Sequence, residues 1–203
     1  MIVKFSAEEL QSLHMKAEDL WRVSGKEGWQ KSKVDPEEIL KLYKGIRIRE
    51  GYRLVAYVYR EGLRGKGVVW ATRGEFPEVE DCEFISYPKP KGAKKPEEVL
   101  EGDGSPESYI SASMFLREMK EFGALWDWIE WGLEEIIGEL NLDEFELFGE
   151  YDLSPKVFVK YPVEVEFFTL HLLEGKVYRN RDIFIEGYRF RTEKEVVGKK
   201  VIR

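Results

Sequence analysis

The sequence predicts an α+β fold in a single domain, 1–203. It is a largely antiparallel, twisted sheet packed against a long helix at about 106–140, with N-terminal helices. Three observations carry this. Apolar residues recur at three and four before Gly45 and again between 106 and 140, and at two in most of the remainder. The period-two stretches follow one another across glycine-rich turns instead of alternating with helices, as antiparallel strands do. The 203 residues are 43% hydrophobic, with six Trp, ten Tyr and twelve Phe, enough apolar area to offset the entropy of folding without a covalent staple.

Ser6 and Glu9 form a capping box that opens the first helix, whose stripe is Leu10, Leu13, His14, Ala17, Leu20 and Trp21. Asp35-Pro36 opens a second, short helix with Ile39, Leu40 and Leu42. Past Gly45, Ile46 and Ile48 alternate with Arg47 and Arg49, and 54–59 is apolar on both faces, as a central strand would be. The glycines of 61–67 mark a hairpin, and 67–71 and 82–87 extend the meander.

Residues 88–106 carry Pro88, Pro90, Pro96 and Pro106 with Lys89, Lys91, Lys94 and Lys95, which predicts an exposed connection or lid. Ser105-Pro106 then caps the main helix. Its sheet-facing stripe would run through Phe115, Met119, Phe122, Trp126, Ile129, Leu133 and Ile137, with a kink or a break near Gly123. Strands follow at 145–151, 156–173, 176–186 and 188–192, where Pro162 argues for an edge or a bulge.

The net charge of -7 conceals segregation: 41–73 is net +7 and 74–155 net -16. A nucleic-acid partner is not expected of so acidic a chain. Four Asn and Gln residues against many Glu and Lys suggest a thermophilic source. No apolar window long enough to span a membrane and no leader-like start occur, so a cytoplasmic protein without a membrane partner is expected. Cys82 is the only cysteine, which excludes an intrachain disulfide and a cysteine-built zinc site. Phosphate-loop, dinucleotide and nucleophile-elbow motifs are missing, and no cofactor or metal is expected.

Two function classes follow. The first is a non-catalytic module that binds a small ligand or another protein. It rests on Trp128 and Trp131, which would form a second apolar stripe on the main helix, either covered by the N-terminal helix or the 88–106 segment or left as an interface, most simply a homodimer. The second is an enzyme acting on a small phosphorylated or otherwise anionic substrate. Arg47, Arg49 and Arg53, with Lys94 and Lys95 near the main helix N-terminus, would hold the anion. Glu130 would transfer a proton or hold a divalent cation. His171, with Glu164 or Glu166 beside it, is the other acid/base candidate, whereas His14 and Cys82 read as structural.

Overall fold

The computed structural model describes residues 1–79 and 86–201; most of the strand expected at 82–87, with Cys82, lies outside the described residues. In chain order the elements are β1 (Ile2–Lys4), α1 (Ala7–Trp21), β2 (Gly28–Lys31), α2 (Pro36–Leu40), β3 (Ile46–Ile48), β4 (Arg53–Glu61), β5 (Arg64–Thr72), β6 (Leu100–Gly102) and α3 (Pro106–Glu121). After α3 come two 3-10 turns, Trp126–Trp128 and Trp131–Leu133, and then the strands β7 (Glu134–Ile137), β8 (Phe145–Leu147), β9 (Lys156–Phe158), β10 (Glu164–His171), β11 (Lys176–Glu186) and β12 (Arg189–Lys200). The fold is α+β, with a curled antiparallel sheet packed against helices. The caps form as expected. Ser6 Oγ accepts from Glu9 N–H, Asp35 from Glu37 N–H, and Ser105 Oγ from Ser108 N–H at 3.2 Å. Among the described residues no helix is long and apolar enough to cross a membrane.

The chain divides into two compact units, Met1–His14 with Gly132–Arg203, and Met15–Trp131. The first holds the largest sheet, in the order β1-β9-β10-β11-β12-β8. β7 shares one edge of β10 with β9, pairing Phe168–His171 while β9 pairs Glu164–Glu166. Ile137, Leu153, Phe168, Val177 and Val197 form an apolar core on this sheet. The first half of α1 is tied to β7 by the Ile136 N–H, which donates to Gln11 Oε1 at 2.8 Å.

In the second unit β2-β4-β5 form one sheet and β3-β6 a separate ribbon. α3 packs against β5 and the ribbon, and buries Ile110, Met114, Phe115 and Met119. Fully burying side chains of this size stabilises by roughly 1.5–3 kcal/mol each. The Glu118 carboxylate lies inside, accepting from Trp21 Nε1 (2.7 Å), Trp131 Nε1 (3.0 Å) and Tyr43 Oη (3.1 Å). Burial first, and then that carboxylate, push the Tyr43 hydroxyl well above the ordinary phenol range.

Two expectations are corrected. The main helix ends at Glu121, not near 140. Gly123 adopts φ +80, the Arg60 guanidinium donates to the Gly123 and Val23 carbonyls, and Glu121 turns its carboxylate onto the Trp131 N–H at 2.7 Å. Residues 134–137, read as helix, are strand because β10 supplies a ladder partner. The segment 88–106 is packed structure. Lys94 N–H and C=O both bond Ala71, β6 pairs with β3, and Pro88, Pro90, Ala93, Pro96, Val99 and Leu100 are buried.

Candidate functional site: an aromatic and cationic surface

The β2-β4-β5 register sets Trp29 opposite Tyr59, and Tyr59 opposite Lys66, so these three side chains share one sheet face. Tyr87 and Trp128 close over them. The Lys66 ammonium lies 4.4 Å from the Tyr87 ring centre, 5.4 Å from Trp29 and 5.8 Å from Trp128. Trp29 in turn packs at 5.6 Å on Tyr59 and 5.4 Å on Tyr87, with tilted planes. Lys66 is only 7% exposed, so its charge sits beneath the rings, where the negative ring faces stabilise it. Further along β5, Trp70 donates its indole N–H to the Pro88 carbonyl at 2.7 Å and carries Lys89 at 4.8 Å over its ring.

Trp126 and Trp128 belong to one 3-10 turn, closed by Ile129 N–H on the Trp126 carbonyl at 3.0 Å. The turn is fixed at both ends. Leu125 N–H donates to Gly65 O at 2.9 Å, and the Glu121 carboxylate accepts from the N–H groups of Glu130 and Trp131. Trp126 itself has φ 55, the only positive φ of a non-glycine among the described residues, and its side chain is 63% exposed. Trp128 is 46% exposed. Left-handed backbone at a bulky residue is a steric cost, and costs of this kind collect where a chain binds something.

The two tryptophans expected at an interface thus separate. Trp128 remains at the surface. Trp131 is 7% exposed, donates to Glu118, and acts as the anchor that positions the turn. Glu130 is exposed and lies beyond that turn, not on a helix facing the sheet. Trp126, expected in the core stripe, is the outermost ring of the group.

The cationic candidates do not converge. Arg47 and Arg49, on β3, both pair with Glu101, at 3.2 and 3.0 Å, and the Arg49 hydrogen bond is the main reason that carboxyl titrates below its ordinary range. Arg53, on β4, lies 3.7 Å from Asp35, 3.8 Å from Glu37 and 5.2 Å over Phe76. Lys94 extends over the Tyr52 ring at 5.7 Å, and Lys95 reaches Glu97 at 4.0 Å. An open groove of about 390 Å³ beside Gly45, Arg47 and Gly102 is also lined by Asp103. Bonds from Ser105 hold that carboxyl below its usual range, so it stays anionic and opposes an anion there.

His171 belongs to the other unit and accepts the Glu174 N–H on Nδ1 at 3.2 Å. Glu164 and Glu166 project from the opposite face of β10, because successive side chains alternate and both stand an odd number of positions from His171. Both are engaged there, Glu164 with Arg181 at 2.8 Å and Glu166 with Arg179 at 2.7 Å. The register partner of His171 is Glu134, which Thr169 and Lys194 occupy. Among the described residues no group of His, Cys, Asp and Glu could hold a metal ion. Lys66, Tyr87, Trp29 and Tyr59 escaped the sequence reading. Lys66 and Tyr59 flank the hairpin at equal distances, the signal that could have paired them. No family model, no curated protein and no solved structure matches this chain.

Proposed function

We propose that this protein is a non-catalytic binding module, and that its ligand is a small molecule combining a planar ring with an anionic group. The observation that carries this reading is Trp126, a bulky residue held exposed at φ 55 beside Trp128. Both its backbone and its exposed indole cost free energy in the unliganded protein, and a stacked planar ligand would recover the second cost. The anionic part of the ligand is favoured by Lys66 under the Trp128 ring, by Lys89 over Trp70 on the same strand face, and by the net +7 of residues 41–73. The enzymatic reading has no comparable support, since its arginines each lie within reach of a carboxylate of their own unit.

Adenosine monophosphate, with adenosine and ribose 5-phosphate as its two halves, is a suitable probe. Ligand at a hundredfold excess over Kd stabilises by about 2.7 kcal/mol, which is several degrees in Tm for a chain of this size. The nucleotide is expected to raise Tm and quench tryptophan emission more than either half. The Trp126→Ala/Trp128→Ala variant is expected to respond to none of them. A wild-type protein indifferent to all three probes, or a double variant that responds as the wild type does, would sink the reading.

A further inference from the structure

β12 is the longest strand of the first unit, and β11 pairs along one side of it. On its other side β8 takes only Gly198–Lys200, and Phe148 N–H reaches Val197 O. From Arg189 to Val196 that side has no strand partner among the described residues, and most of the side chains are exposed. An open edge of this length is a template for pairing, and charges commonly guard it.

Here the charges form a pattern that does more than guard. Arg189, Arg191, Glu193 and Glu195 lie on one face, and their signs are antisymmetric about Thr192. We propose that a second copy of this chain docks on this edge, β12 against β12, antiparallel about a two-fold axis at Thr192. In that register Arg189 faces Glu195 of the second copy and Arg191 faces its Glu193, each pair occurring twice. Opposite charges directly across a sheet attract, and like charges repel. Moving the axis to Arg191 sets that arginine against itself, and moving it to Glu193 does the same to the glutamate. A one-residue shift would set outward N–H and C=O groups against inward ones, so it forms no ladder.

The rows already present within the unit point the same way. Glu164–Arg181–Glu193 and Glu166–Arg179–Glu195 run across β10, β11 and β12 with alternating sign, linked at 2.7–3.1 Å. Each row ends on a glutamate at the open edge, and the second copy continues it with an arginine. The length fits as well. The open stretch runs from the hairpin at Gly187 to the start of β8 pairing at Gly198, and Thr192 lies at its middle. In this register the ladder runs from Arg189 facing Glu195 to Glu195 facing Arg189, inside the open stretch and short of the Val197 carbonyl that Phe148 occupies.

Sedimentation of the full chain tests this directly. The wild type is expected to be a dimer by about 100 µM, and to dissociate as salt is raised. Arg191→Glu puts like charges face to face twice and is expected to weaken the dimer roughly a hundredfold. Cysteine pairing fixes the register independently. In a Cys82→Ser background, a mixture of Arg189→Cys and Glu195→Cys chains should cross-link on oxidation, and each variant alone should not. A monomeric wild type, a dimer untouched by Arg191→Glu, or equal cross-linking of single variants and mixture would each overturn the proposal. Should Arg191→Glu fail to fold, the cross-linking pattern decides alone.

Discussion

At φ 55 the Trp126 backbone crowds Cβ against the preceding peptide group, a contact that glycine lacks. Trp126→Gly is therefore expected to leave stability unchanged or raise it by up to ~1 kcal/mol, while abolishing ligand binding. Urea unfolding with a parallel thermal-shift titration measures both; a clear loss of stability would make Trp126 a structural residue. The opposite balance holds at Glu118, whose carboxylate accepts from two indoles and a phenol. Glu118→Gln turns an NH2 group toward these donors and is expected to cost about 2–3 kcal/mol, read as a lower urea midpoint. The sequence shows that Trp128 and Trp131 are too many aromatics for a solvated face, but not which is the anchor. The Glu118 carboxylate, which Trp131 shares with Trp21, decides that, and 97 positions separate Trp21 from Glu118.

Short-range chemistry made the starts of elements readable. Ser6, Asp35 and Ser105 cap where they are expected to, because a cap acts on N–H groups two or three residues away. The end of α3 was not readable in the same way. Residues 124–140 satisfy a helical period, and what stops the helix is a close approach between elements. Gly67 lies against the Phe122 carbonyl, and a side chain at Gly123 would meet Val58 Cγ1 at 2.7 Å. Gly123→Ala thus combines left-handed strain with overpacking, and a loss of about 2–4 kcal/mol is expected. Gly67→Ala should cost at least as much, since the obstacle is backbone and cannot rotate away. Variants whose urea midpoints match the wild type would show that this approach is loose. The 88–106 segment misled for a related reason. Its prolines and lysines fit a solvated path, yet Ala93, Val99 and Leu100 suffice to hold it against β5 and β3.

Across the whole molecule, the ionisable groups divide between the two units with opposite consequences for pH. In the first unit, Lys4 and then Ser154 hold Asp152 far below the ordinary carboxylate range, and Arg181 chiefly lowers Glu164. A carboxyl depressed on folding contributes fully above its unfolded value, about 3.9–4.3, and loses that contribution as pH falls. In the second unit, Tyr43 is raised, so its contribution is complete below the unfolded value near 10 and is lost as pH rises. Glu101 and Asp103 are depressed there too, but they belong to the β3-β6 ribbon and its end, not to β4 or β5. Tyr178 is likewise raised in the first unit, with its phenol far less buried than that of Tyr43. Acid is therefore expected to loosen β1, β9 and β10 before β4 and β5, and alkali to reverse that order. Hydrogen exchange after brief incubation near pH 2.5 and near pH 11 can follow each strand by its peptides. Added salt should shrink the acid effect, because Lys4 and Asp152 are both substantially exposed, and leave the alkaline one, because Tyr43 is buried with Glu118. Simultaneous loss of protection in both units at both extremes would mean that these local charges do not govern the pH response.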